Sequence, residues 1–180
     1  VYVDLSTAFW RQHGGSVYGN RALTRGGGVY LNSAFGEMTG GDVMYNTAPM
    51  GGGVYIAGSY SVFTQTGGSF WINTADYGGG LYVANSALVT NSQFLNNTGV
   101  YLGNVRNSYG GGAAFASNQF TLVGCLFQDN TASLGGGISV STGNNSSVSD
   151  SQFIGNLARL DNAGSSNGFG GAIANTGTGK

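Results

Sequence analysis

Charge is what this sequence has least of. Of its 180 residues six are basic and seven acidic, so charged side chains make up 7% of the chain, against roughly a quarter in ordinary soluble domains. A surface so poor in charge implies a covering: attached glycans, another protein copy, or a ligand with little charge of its own. The charges are scattered singly and nearly cancel, leaving a net −1. There is thus no basic stripe for nucleic acid and no polybasic segment for an anionic membrane, and nucleic acid is set aside as a partner. Proline occurs once, and the 35 glycines follow no strict Gly-X-Y period, which excludes collagen. The single cysteine, Cys125, rules out an intrachain disulfide; between Gly124 and Leu126 it reads as a small core residue. No apolar run approaches the ~20 residues of a membrane span. The sequence lacks a starting Met and a signal peptide, which suggests a mature or excised segment.

What the chain has instead is a repeat. Glycine triplets start at Gly26, Gly51, Gly78, Gly110 and Gly135, with a relaxed copy from Gly170 to Ile173, giving repeats of 25, 27, 32, 25 and 35 residues. A second mark runs in phase with the first: Val17/Asn20, Val43/Asn46, Phe70/Asn73, Phe94/Asn97, Phe127/Asn130 and Phe153/Asn156. Repeats of this length, rich in β-branched and aromatic alternation and without helical periodicity, point to an all-β fold, a β-solenoid. We read one domain over 1–180 with coils 1–25, 26–50, 51–77, 78–109, 110–134 and 135–169 and a partial coil 170–180.

In a solenoid, sequence columns become ladders with the spacing of hydrogen-bonded strands. Two columns point inward from the strand after each triplet: Val1, Val29, Val54, Leu81, Ala113, Ile138 and Ile173, then Val3, Leu31, Ile56, Val83, Phe115 and Val140. A third is the Val17 to Phe153 ladder, where stacked rings bury large apolar area. The column Asn20, Asn46, Asn73, Asn97, Asn130 and Asn156 lies at a turn and reads as structural, each amide bonding nearby main chain or the Asn one coil away. At least one glycine of each triplet takes positive φ or admits a close backbone approach at a corner. The Thr47, Thr74, Thr98 and Thr131 column, interrupted by Arg21 and Leu157, reads as turn-stabilising.

Alternating GGA[ILV] and FxxN marks resemble the repeats of the chlamydial polymorphic outer-membrane proteins. The match is closest from Phe127 to Ile138, and from Phe153 to Asn156 followed by Gly170 to Ile173. It covers almost the whole chain at the level of repeat type. The resemblance implies a right-handed parallel β-helix on a cell surface, in a family whose passengers act as adhesins and self-associate. Here most triplets are GGG rather than GGA, and Val17 and Val43 replace Phe. The family supplies no catalytic residues, and no autotransporter barrel lies in this segment.

Two outward columns are candidate sites. Tyr2, Tyr30, Tyr55 and Tyr82, followed by Ala114 and Ser139, form a platform for sugar rings, a buried contact with another chain, or simply cross-strand pairs. Tyr18, Met44, Trp71, Leu95, Gln128 and Ile154 form a second, mostly apolar packing surface. Two inserts, Thr98 to Tyr109 and Leu157 to Phe169, occupy one corner two coils apart, with Arg106 and Arg159 as loop contacts; neutral insertion at a tolerant corner is the alternative. Glycosylation sequons stand at Asn96, Asn144 and Asn145, and strand alternation continued past Phe94 points Asn96 inward.

The carboxylates Asp4, Glu37, Asp42, Asp76, Asp129, Asp150 and Asp161 do not gather on adjacent coils, and His13 and Lys180 are the only residues of their kinds. A polysaccharide-degrading enzyme needs such a cluster, so no catalytic residue, metal or cofactor is assigned. The chain shows no polar or helical cap, which implies continuing coils or head-to-tail stacking of copies. The leading expectation is a non-enzymatic extracellular rod that builds or decorates a surface fibre by self-association. The alternative is an adhesin that binds glycans through the tyrosine column and corner loops.

Overall fold

The structure is a computed structural model that describes residues 1–100, 107–116, 119–141, 145–159 and 168–177. Among the described residues there is no helix, and every strand pairing is parallel. The chain winds as a parallel β-helix of about six turns, each turn contributing one strand in succession to each of several stacked sheets.

The first sheet has seven strands: Tyr2–Asp4, Val29–Asn32, Val54–Ala57, Leu81–Val83, Ala113–Phe115, Ile138–Val140 and Ile173–Asn175. The second has six: Phe9–Gln12, Phe35–Met38, Val62–Gln65, Ser86–Thr90, Gln119–Val123 and Ser147–Ser149. The third, also six-stranded, comprises Ser16–Tyr18, Asp42–Met44, Ser69–Trp71, Gln93–Leu95, Leu126–Gln128 and Gln152–Ile154. Short pairs, Thr74–Ala75, Thr98–Gly99, Thr131–Ala132 and Leu157–Ala158, form a fourth, which the bridges Arg21↔Thr47↔Thr74 extend.

The core is the stack of inward columns. Val29, Val54, Leu81, Ala113 and Ile138 are fully buried, whereas Val1 and Ile173, in the outermost described coils, are 61% and 43% exposed. The aromatic ladder of the third sheet is close to parallel: Phe70, Phe94, Phe127 and Phe153 stack with centroids 5.0, 4.5 and 5.0 Å apart and ring planes within 7°. Each such pair adds ~1 kcal/mol beyond its area burial.

The second sheet has no counterpart among the sequence marks. Its inward columns are Trp10, Gly36, Phe63, Ala87, Phe120 and Gln12, Met38, Gln65, Val89, Leu122, Val148. Side-chain volume is exchanged between coils: Trp10 reaches past Gly36 to stack on Phe63, 6.4 Å away. A Cβ at Gly36 would run into Leu31 and Phe63. Gln12 and Gln65 are buried and donate Nε2 to corner carbonyls of Gly15 and Gly67, each at 3.2 Å.

The corners follow from backbone geometry. The first glycine of every triplet has φ between 58° and 66°, and a Cβ on the second would overlap the carbonyl of the matching glycine one coil on. The two uses of glycine thus fall on successive residues. At the other corner the left-handed residue is the one before each ladder Asn: Gly19, Tyr45, Ile72, Asn96, Asp129 and Gly155. That kink resets the alternation, so the inward residue after Phe94 is Asn97, and Asn96 is exposed. The inward orientation expected for Asn96 is therefore corrected, because simple alternation ends at a left-handed residue.

Each ladder Asn from Asn46 to Asn130 is bonded on all sides. From Asn46 to Asn156 the Oδ1 accepts from both the backbone N–H and the Nδ2 of the Asn one coil earlier, at 2.9–3.1 Å. Its Nδ2 also donates, from Asn46 onward, to the carbonyl of the Val or Phe ladder one coil back, at 2.7–2.9 Å. Asn46, Asn73, Asn97 and Asn130 are completely buried.

Asn97→Ala strands two donors of Asn73 in a dry corner and takes the side-chain donor from Phe70 O and Asn130 Oδ1, and each orphaned group costs ~1–3 kcal/mol. Its urea midpoint is expected to fall by an amount equivalent to ~3 kcal/mol or more, while Thr131→Ala on the neighbouring outer column stays within ~0.5 kcal/mol. Equal losses at the two positions would contradict a special role for the ladder.

Candidate functional site

The outer face of the first sheet carries the tyrosine column. Tyr2, Tyr30, Tyr55 and Tyr82 are in register on consecutive coils. Their centroids are 5.0, 5.1 and 5.0 Å apart; the first contact is tilted, the second edge-on and the last stacked at 10°. The column is not an open platform. Tyr2 is 61% exposed, but Tyr55 is only 5% exposed, closed in by the rings on either side and by the Arg25 guanidinium 5.4 Å from its centroid. The tyrosine at the open end donates to Asp4 Oδ2 at 2.7 Å, a bond that raises the phenol pKa and lowers that of the carboxyl.

A second aromatic file borders the first. The residue before each glycine triplet forms a continuous bridge column, Arg25, Met50, Tyr77, Tyr109, Leu134 and Phe169. Tyr77 and Tyr109 stack face to face, centroids 4.9 Å apart at 2°, and Tyr77 meets Tyr82 edge-on at 6.3 Å. The sequence carried a signal for this file, since all six positions directly precede the triplets and are large. Reading only alternation within strands misses it.

Where the two files meet, a cleft opens. In register with the column, the residues after Tyr82 are Ala114, Ser139 and Ala174. Loss of the large side chain at these positions leaves a cavity of about 250 Å³ between Tyr82, Tyr77 and Tyr109, with Ala114 and Ser139 beneath and Ser141 and Thr176 at its far side. No lining residue carries a charge. The Ser141 and Thr176 hydroxyls donate to carbonyls of Phe115 and Val140, both at 3.4 Å. Ser139 is 3% exposed, and its hydroxyl has no hydrogen-bond partner among the described residues.

The other outward column lies on the third sheet, where Tyr18, Met44, Trp71, Leu95, Gln128 and Ile154 are in register. Tyr18 and Ile154 are 65% and 48% exposed, and Tyr45 packs edge-on against Trp71 at 5.0 Å. The two tyrosine and tryptophan columns thus face different sides of the coil and do not combine into one site.

Both inserts leave the coil at one corner, between the fourth sheet and the bridge column. Thr98–Gly99 and Leu157–Ala158, expected as insert residues, are strands of the fourth sheet, so the extra length begins after them. Arg159 is exposed there; Arg106 and Asn144 lie outside the described residues. Asn145 is exposed, as is Asn96. Among the described residues no three His, Cys, Asp or Glu side chains come together as a metal site, and no helix is long and apolar enough to cross a membrane. Cys125 is buried, with a thiol pKa raised by desolvation. No protein-family model, curated protein or solved structure matches the chain.

Burial raises the phenol pKa of Tyr55, Tyr77 and Tyr82. Folded values above the unfolded one, about 10, mean that the stability these phenols contribute is complete below that pH and is lost as the pH climbs through the folded values. The urea midpoint is expected to fall above about pH 10, more steeply than in Tyr55→Phe with Tyr82→Phe. Ultraviolet titration should resolve late-ionising tyrosines; all ten ionising together would contradict the packing.

Proposed function

We propose that this chain is a non-enzymatic structural rod of the cell exterior, which builds or decorates a surface fibre through end-to-end and lateral packing. One observation carries the reading: every coil hands the next the same hydrogen-bonding face. Triplet carbonyls, the Asn amide and strand edges recur in register from coil to coil. The edges at Tyr2–Asp4, Phe9–Gln12 and Ser16–Tyr18, and those at Ile173–Asn175, Ser147–Ser149 and Gln152–Ile154, are the outer members of their sheets. Further coils, of this chain or of another copy, would extend the same ladders.

Scarce charge and the apolar flank of Tyr18, Met44, Trp71, Leu95 and Ile154 support lateral packing, since such a flank is favoured at contacts between proteins. The extracellular location draws on the resemblance of the repeats and on the exposed sequons. Two of the carboxylates have structural partners: Glu37 pairs with Arg11 at 3.0 Å, and Asp42 accepts from Ser69.

Electron microscopy of the purified chain tests the reading. Filaments with an axial repeat near roughly 29 Å, six coils at strand spacing, are expected, and Trp71→Glu should separate laterally associated filaments into single ones. Discrete particles at every concentration would contradict self-assembly.

A further inference from the structure

We propose that the cleft between Tyr82, Tyr109 and Ser139 binds a neutral carbohydrate, one pyranose ring lying against the tyrosine faces. This site is independent of the rod reading. Three features of the cleft select the ligand.

The first is its walls. Tyr77 and Tyr109 stack at 2°, Tyr82 stands nearly at a right angle to Tyr77, and all three rings line the cleft. Flat aromatic walls with a negative ring face attract the polarised C–H groups on the apolar face of a sugar, and tyrosine adds a polar tip at the rim. The second is its polar groups. The Ser139 hydroxyl lines the cleft without a partner among the described residues. Such a hydroxyl can donate one hydrogen bond and accept others from a ligand. Ser141 and Thr176 keep free acceptor capacity, because each hydroxyl uses only its donor, at 3.4 Å. A ring of hydroxyls supplies both donors and acceptors to such a set. The third is charge: no lining residue carries one, so a uronate, sulfate or phosphate ester would be desolvated there without a counter-ion.

The cleft is also placed where a chain of sugars can run. It sits on the outer face of the first sheet, and its walls are built from two files that continue along the stack. At about 250 Å³ it holds one ring at a time, below the usual size of a drug-like pocket. Selectivity therefore falls on the ring in the cleft.

Calorimetric titration of the purified chain with cellohexaose, mannohexaose, laminarihexaose and hexagalacturonate tests the site. At least one neutral hexamer is expected to bind, and hexagalacturonate to bind at least tenfold more weakly. Ala114→Tyr continues the tyrosine column into the cleft and is expected to abolish binding while circular dichroism stays unchanged. Tyr109→Ser should weaken binding at least tenfold, and Tyr18→Ala, on the other flank, should leave it unaltered. The proposal is overturned if no neutral hexamer binds the unaltered chain, if the charged hexamer binds as well, or if a folded Ala114→Tyr chain binds normally. Should Ala114→Tyr fail to fold, nuclear magnetic resonance of the unaltered chain decides: shifts confined to Tyr77, Tyr82, Tyr109 and Ser139 support the site, and shifts elsewhere reject it.

Discussion

The double acceptance at each ladder Asn sets the geometry on which the rest of the coil depends. One side-chain oxygen takes both the backbone N–H and the side-chain amide of the coil before it, while the amide of the same residue reaches back to the carbonyl of an aromatic ladder residue. An amide has the donors and acceptors to do this at once; a hydroxyl or a carboxylate does not. Because the corner is completely buried, a missing partner is not replaced by water. Asn therefore fixes the rise and register of each coil against the next. The Phe ladder three residues earlier is brought into its near-parallel stack by the same register.

Glycine solves the opposite problem at the opposite corner. There the backbones of successive coils approach so closely that no side chain fits, and the preceding glycine takes the left-handed turn that begins the first sheet. Between these two pinned corners the strands tolerate change. The second sheet varies its side chains and its connection to the first, and it remains packed because Trp10, Gly36 and Phe63 compensate in volume across coils. The outer columns are freer still, which is how a tyrosine file can give way to Ala114 and Ser139 and open a cleft without disturbing the core.

The corners were legible in the sequence because they recur in phase: Gly26, Gly51 and Gly78 against Asn46, Asn73 and Asn97. The second sheet was not, since its distance from the triplet varies: Phe9 follows Asp4 by five positions, Phe35 follows Asn32 by three and Ser147 follows Val140 by seven. Counted from the other end it was there to be found, because Gln12, Met38, Gln65, Val89, Leu122 and Val148 each stand five positions before the Val or Phe ladder. The tyrosine column lies on the outer face of the first sheet, yet the burial of Tyr55 depends on Arg25, and the cleft depends on Tyr77 and Tyr109. Those contacts join residues from different corners, which alternation within a strand does not bring together. Asn96 shows the same limit at one residue, where a left-handed φ of 54° reverses the expected side.

The interlocked Asn ladder is most directly tested by native-state hydrogen exchange, followed by nuclear magnetic resonance at the side-chain amides of Asn46, Asn73, Asn97 and Asn130. Side-chain amides ordinarily exchange freely with solvent, but these four donate both protons inside a buried corner and open only with the coil stack. They are predicted to exchange as slowly as the backbone amides of the first sheet, and together as one cooperative unit. Rapid exchange of these groups while the backbone stays protected would mean that the coils are held by their strands alone and that the ladder does not set the stack.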